Sequence, residues 1–297
     1  MDALKVGFVG LGVMGLPMAR NVLKGGHAVT ASSRSAGPVE ALVADGATAA
    51  KTPAEAAKGA DMAVLMVPGP EEVDAVLFGT DGVVAEMPAG GLVLVMSTID
   101  PNTAQRVEAR LRAEGLRMLE APVARPAQNA VDGTLAILAG GTREDLEAAH
   151  PLLACMGSDI VHCGPVGTAA AMKLVNNMLS NSMLIMTAEA LALGRKAGLA
   201  VETMYSVLEG TAANSASLGR IERQAVKSRE FAPGFMVKLA QKDLRLATTF
   251  ASEVGARAAL GAAAHQMLAE AGMRGYGERD TSSVLRLYEE AAGVELG

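Results

Sequence analysis

Tryptophan is missing and aromatic side chains are scarce: three Tyr and five Phe make up 3% of 297 residues. That is too few for the stacking platform that single-stranded nucleic acid requires. It also leaves the core to Ala, Leu, Val and 17 Met. Basic charge is not in excess either. Lys plus Arg number 26 against 32 Asp plus Glu, a net charge of −6, which argues against nucleic acid or another polyanion as partner. Two cysteines, Cys155 and Cys163, cannot build a disulfide framework and read as reduced thiols of a cytoplasmic protein. The four histidines, His27, His150, His162 and His265, lack metal-ligand spacing, so no metal is expected. No basic segment with a cleavage site stands before the first apolar run, as a signal peptide would require. The most apolar stretch, residues 178–193, is interrupted by Asn181, Ser182 and Glu189, which reads as a helix inside protein and not as a membrane span.

What is present is a globular composition. Half the residues are hydrophobic and 20% are charged, and the length suits about two domains. Short apolar runs at 4–10, 27–32, 62–67 and 91–96 predict buried strands, and 13–25, 40–44 and 53–58 predict helices between them. Asp100-Pro101 marks a further helix start, with Asp as cap and Pro at the first helical position. Strands are expected again at 118–121, 135–139 and 160–162, with a helix over 143–156. This alternation predicts a doubly wound α/β domain with a parallel sheet. The turn cluster Gly164-Pro165-Val166-Gly167 marks a boundary. Residues 1–164 are expected to form the α/β domain, and 165–297, where no strand pattern is found, an all-α second domain.

Gly10-Leu11-Gly12-Val13-Met14-Gly15 fits G-x-G-x-x-G between a strand and a helix. In that context the first glycine permits a tight turn, the second a close approach of backbone to a pyrophosphate, and the third close packing of helix on strand. The helix N-terminus then offers N–H groups and partial positive charge to the phosphates. Dinucleotide users of NAD usually carry an acid about 20 residues further on, for the ribose hydroxyls. Here the segment reads Ala31-Ser32-Ser33-Arg34-Ser35, and the first acid after it is Glu40. Ser33 and Arg34 would attract a 2′-phosphate, so NADP is expected as the preferred cofactor, with NAD as the alternative.

Between Gly167 and Arg195 the only formal charges are Lys173 and Glu189. Lys173, Asn176, Asn177, Ser180 and Asn181 fall at helical spacing on one face. The rest of the segment is mostly Met, Leu, Val, Ile and Ala, the pattern of a helix buried nearly all round. Polar groups on such a helix need partners, and a ligand cleft would supply them; a solvent face would explain the spacing equally well.

Four ordered motifs then carry a resemblance: Gly10 through Ala19 (GLGVMGLPMA), Ala121-Pro122-Val123, Lys173-Leu174-Val175-Asn176-Asn177 and Lys242-Asp243-Leu244. Together they resemble the β-hydroxyacid dehydrogenases, the family of 3-hydroxyisobutyrate dehydrogenase and small semialdehyde reductases, along essentially the whole chain. The resemblance implies a Rossmann domain, a helical second domain, a cleft between them, and a homodimer or homotetramer formed through the helical domains. It implies Lys173 as the catalytic lysine and Asn177 as its neighbour. Lys242 would lie near the nicotinamide, and Val67, Ser97 and Thr98 would be cofactor contacts. In many members Ala-Pro-Val is followed by Ser-Gly-Gly, which holds the substrate carboxylate. Here Val123 is followed by Ala124-Arg125-Pro126. That departure resembles the sulfolactaldehyde reductase branch, in which an arginine in this loop acts with an asparagine and a serine on the catalytic helix. The matching positions are Arg125, Asn176 and Ser180. That branch carries an acid at the position of Ser33, so the cofactor loop differs from it.

The chemistry expected is reversible reduction of a small aldehyde bearing a carboxylate or sulfonate. Lys173 would stabilise the developing oxyanion and donate the proton, acting as base in the reverse direction. Asn177 would fix the ammonium or the substrate oxygen. Arg125 would hold the substrate anion. The competing expectations are an NAD-dependent hydroxyacid dehydrogenase working in oxidation and a non-catalytic nucleotide-binding scaffold.

Overall fold

The predicted apolar runs form strands because both faces of the sheet they join are covered. The computed structural model describes residues 3–297. The first strands are β1 (Lys5–Val9), β2 (Ala28–Ser32), β3 (Thr48–Ala49), β4 (Met62–Leu65), β5 (Leu92–Val95) and β6 (Arg117–Glu120). They lie in the order β3-β2-β1-β4-β5-β6, all parallel. Every residue of β4 and β5 is buried, as the central strands of a doubly wound sheet require. Alternate side chains serve two cores. Phe8, Val64 and Leu94 pack on one face with Met18 and Leu42, while Val9, Leu65 and Val95 pack on the other with Val73 and Leu111.

The helices of this part are α1 (Gly15–Lys24), α2 (Ala36–Ala44), α3 (Pro53–Ala57), α4 (Pro70–Phe78), α5 (Pro101–Ala113), α6 (Ala127–Val131) and α7 (Arg143–Met156). Asp100 caps α5 as expected, its carboxylate accepting from Thr103 N at 2.9 Å. Beyond β6 the mostly parallel sheet gains antiparallel pairings. The remaining strands are β7 (Val123–Ala124), β8 (Leu135–Gly140) and β9 (Gly157–Gly164), and β8 runs antiparallel to both β6 and β7 while β9 runs parallel to β8. The connection 125–134 is too short for the crossover of about a dozen residues that a parallel return needs.

Contacts divide the chain into two units, one ending at Lys173 and the other spanning Leu174–Gly297. The remaining helices are α8 (Thr168–Lys196), α9 (Val201–Glu209), α10 (Ala216–Ile221), α11 (Val237–Glu253), α12 (Ala259–Ala271) and α13 (Leu285–Ala292). No strand lies among them, only an isolated bridge between Met236 and Asp280. Leu184, Ile221, Val237, Leu244, Leu268 and Leu285 form the core of the second unit. Among the described residues no helix is long and apolar enough to cross a membrane.

A buried acid ties several segments of the second unit together. Asp280 is fully buried, pairs with Arg220 at 2.5 Å, and accepts from the backbone N–H groups of Gly234, Phe235 and Ser282. Burial alone would raise its carboxyl, but the Arg220 charge and these donors hold it below the ordinary value. A depressed acid stabilises the fold above its unfolded value, and that contribution is lost as pH falls through the folded one. Asp280→Ala should cost about 3 kcal/mol, since it strands a partly buried arginine. Denaturant unfolding at neutral pH checks the loss, and repeating it toward acid pH should show the difference from the parent narrowing.

Candidate active site

The three glycines of the first loop are there for three reasons. Gly10 has φ +98°, and a Cβ would collide with Met66 O. At Gly15 a Cβ would strike Gly10 O and approach Met66 Cβ, so only glycine lets α1 start this close to β1. Gly12 is exposed, with nothing of the protein near its Cβ position. No contact within the chain calls for glycine there, whereas a pyrophosphate lying on the backbone would. The start of α1 has no side-chain cap and no acid in its first turn, which leaves its dipole to an outside anion. The residues therefore fit a dinucleotide.

The loop is joined to the end of β2. Gly10 N donates to Ser32 O at 2.9 Å, and Leu11 N to the Ser33 hydroxyl at 3.3 Å. Arg34 beside it is exposed, and Ser35 opens α2 with extended backbone and no side-chain cap bond. Val13 is exposed, and Met14 is half-buried and packs against the core. After β4 and β5, Val67 N donates to Ser97 Oγ at 2.9 Å. This bond brings two of the expected cofactor contacts together, with Thr98 following.

On α8 the polar stripe resolves into an inner and an outer part. Lys173, Asn177 and Asn181, four residues apart, are 9%, 5% and 4% exposed. Asn176 is half-buried, donating Nδ2 to Asn177 Oδ1 at 3.0 Å, and Ser180 is exposed. Asn181 Nδ2 is buried without a hydrogen-bond partner. The apolar remainder departs from expectation. Val175, Leu179, Met186 and Leu193 are 52%, 61%, 57% and 70% exposed, so this helix is not buried all round.

Asp243 is the residue that the sequence reading left without a role. It lies on the apolar face of α11 with Val237, Ala240, Leu244 and Ala247, and is 2% exposed. One oxygen accepts from Asn177 Nδ2 at 2.6 Å, and the other lies 2.8 Å from Lys242 Nζ. A carboxylate in the register of a buried hydrophobic face was the available signal. This single group fixes both the candidate asparagine and the second candidate lysine.

The loop after Val123 is also specific. Val123 is buried and Ala124 half-buried in the short strand β7. Arg125 adopts φ +81°, a left-handed conformation that costs a non-glycine residue about 1–3 kcal/mol, at the place where the Ser-Gly-Gly form has its first glycine. Its guanidinium is engaged by the chain itself: Nη2 donates to Asp159 at 2.5 Å, Nη1 to Thr134 O at 2.7 Å and to Ser158 Oγ at 3.1 Å. The Ser158 hydroxyl and this guanidinium hold the Asp159 carboxyl below its ordinary value. In this structure Arg125 is thus engaged within the chain.

Residues 5–164 match the family described as the NAD binding domain of 6-phosphogluconate dehydrogenase. Residues 167–288 match the one described as the NAD-binding of NADP-dependent 3-hydroxyisobutyrate dehydrogenase. A 3-sulfolactaldehyde reductase of Escherichia coli K12 is 38% identical, covering 97% of each chain. An NAD-dependent L-serine dehydrogenase of Pseudomonas aeruginosa is 36% identical over 97% of this chain and 99% of its own. A crystal structure of a 3-hydroxyisobutyrate dehydrogenase from Salmonella typhimurium superposes with a TM-score of 0.87 at 32% identity, over 95% of this chain and 99% of that one.

Proposed function

We propose a specific reaction from one premise: the chain belongs to the β-hydroxyacid dehydrogenase family. It is an NAD(P)-dependent oxidoreductase of the 3-hydroxyacid dehydrogenase type. The reaction is reversible reduction of a small semialdehyde carrying a carboxylate or sulfonate, with Lys173 as the acid. The observation that carries this reading is a lysine 9% exposed, one helical turn before an asparagine 5% exposed. A scaffold has no use for an amine buried at this depth. When bound, the nicotinamide cofactor supplies the hydride. Lys173 stabilises the negative charge growing on the carbonyl oxygen and gives that oxygen a proton. Asn177, oriented by Asp243, hydrogen-bonds at the same centre. Replacement of Lys173 is the test, argued in full below.

The substrate anion is assigned to Arg125, with Asn176 and Ser180 as further donors. Arg125 must first leave Asp159. Both partners are solvent-accessible, and an exposed pair of this kind is weak, so a substrate carboxylate or sulfonate competes for the guanidinium. The relatives include a 3-sulfolactaldehyde reductase and an L-serine dehydrogenase, whose substrates carry a sulfonate and a carboxylate, and the loop at 123–125 is proposed to read that end.

NADP is proposed as the preferred cofactor, on the absence of an acid at Ser33 and on exposed Arg34. A charge-assisted bond to a 2′-phosphate is worth about 1.5–3 kcal/mol, so Arg34→Ala should weaken NADPH by about 10–100-fold. Binding of NADH should barely change. Fluorescence titration with both nucleotides checks this, and equal losses would remove the basis for the preference.

Residues 1–164 are assigned to dinucleotide binding and 165–297 to substrate and assembly. The exposed row of Val175, Leu179, Met186 and Leu193 supports a homodimer or homotetramer, because a single chain seldom leaves such a row to water.

A further inference from the structure

Glu120 ends β6 and is 1% exposed. A carboxylate at that depth needs strong compensation. Oε1 accepts from Gly167 N and Ala169 N, both at 2.8 Å, and Oε2 from Ala170 N at 3.3 Å. Those N–H groups open α8, where no preceding turn can satisfy them, and the positive end of the helix dipole meets the carboxylate. Even so, burial outweighs the three donors and holds the Glu120 carboxyl above its ordinary value. A raised acid favours the fold at low pH and favours it less as pH rises through the folded value. The buried side chain engages three backbone donors at one point of the chain.

Its placement suggests another use. Ala169 and Ala170 precede Lys173 by four and three residues, on the same side of the helix, about one 5.4 Å turn away. The anchored amides thus set where that turn begins. The neighbouring strand is cut to fit: Gly140 pairs with Glu120 in the sheet, and a Cβ there would overlap Oε1 and lie 2.7 Å from both Cδ and Cγ. An alanine at 140 cannot coexist with this position of the carboxylate.

We propose that Glu120 is a positioning residue for Lys173, fixing the first turn of α8 on the end of β6, with Gly140 as the space that admits it. The inference rests on Lys173 being the proton donor. Glu120→Ala and Gly140→Ala attack the anchor from two sides without touching the lysine. A misplacement of about 1 Å far from the chemistry can cost about 100-fold, and each variant should lower kcat for semialdehyde reduction by about that factor. KM and the NADPH dissociation constant should stay close to those of the parent. The double variant should be no slower than Glu120→Ala, because the added methyl has nothing left to displace. Glu120→Gln keeps the Oε1 acceptor and should recover most of kcat.

Three results would overturn the proposal: parental kcat in folded Glu120→Ala and Gly140→Ala, losses that multiply in the double variant, or Glu120→Gln as slow as Glu120→Ala. If Glu120→Ala does not fold, Gly140→Ala and Glu120→Gln decide alone, the first slow and the second near parental if the anchor positions the lysine. Lys173→Ala is assayed alongside. If it keeps parental turnover, the lysine reading falls and this inference with it. If it loses turnover while the anchor variants do not, only the positioning role falls.

Discussion

Lys173→Ala should lose about 10³–10⁴-fold in kcat, because in the proposed reaction one side chain supplies both oxyanion stabilisation and the proton. Dinucleotide affinity should remain, since the residues proposed to hold it, the glycine loop, Ser33 and Arg34, lie at the ends of β1 and β2. Lys173→Arg separates the two roles. It keeps a positive charge but holds its proton far too tightly to serve as an acid. Substrate affinity should therefore survive in Lys173→Arg better than turnover does. Stopped-flow reduction of a semialdehyde, with nucleotide titration on the same samples, checks both. Loss of nucleotide binding in parallel with kcat would instead mark Lys173 as a folding residue.

Asp243→Ala should damage both stability and rate. Its carboxylate holds Lys242 on one oxygen and Asn177 on the other, inside the second unit at 2% exposure. Removing one partner of a buried pair costs about 3–5 kcal/mol. The lower end is expected here because the Lys242 side chain is 17% exposed. A loss of about 3 kcal/mol should lower the midpoint of thermal unfolding by about 10 °C. With Asn177 released, kcat should fall as well, by about 100-fold if the asparagine is held at the reacting oxygen. Asp243→Asn, which retains one acceptor for Asn177, should be less harmful to kcat than Asp243→Ala. Calorimetry and steady-state kinetics measure the two effects separately, and a variant that is destabilised but fully active at low temperature would show that Asp243 serves the fold alone.

The Rossmann half was legible where local chemistry and packing agree. Continuous apolar runs become β4 and β5 because both faces are covered, and Asp100-Pro101 caps α5 because capping is local. The elements that escaped are short or set by their neighbours. β3 and β7 have two residues each, too few to display a period. The start of α4 at Pro70 is hidden in Pro68-Gly69-Pro70, which reads equally as a loop. Of the five-residue polar stripe on α8, Lys173, Asn177 and Asn181 are buried, Asn176 is half-buried and Ser180 is exposed. The apolar side was misjudged because composition does not distinguish a face left exposed on the single chain from one packed on the core. Arg125 could be named from its motif, but its engagement with Asp159 depends on β9, which is far away in sequence. Glu120 gave no signal beyond its place before Ala121-Pro122-Val123.

The proposed reaction requires the Lys173 amine at the reacting oxygen when substrate is present. A crystal structure of the protein with nicotinamide dinucleotide and a hydroxyacid product addresses this directly. Nζ of Lys173 should lie about 2.6–3.2 Å from the product hydroxyl oxygen, within hydrogen-bond reach. An amine turned to bulk water, or separated from that oxygen by more than one water molecule, would contradict the proposed reaction.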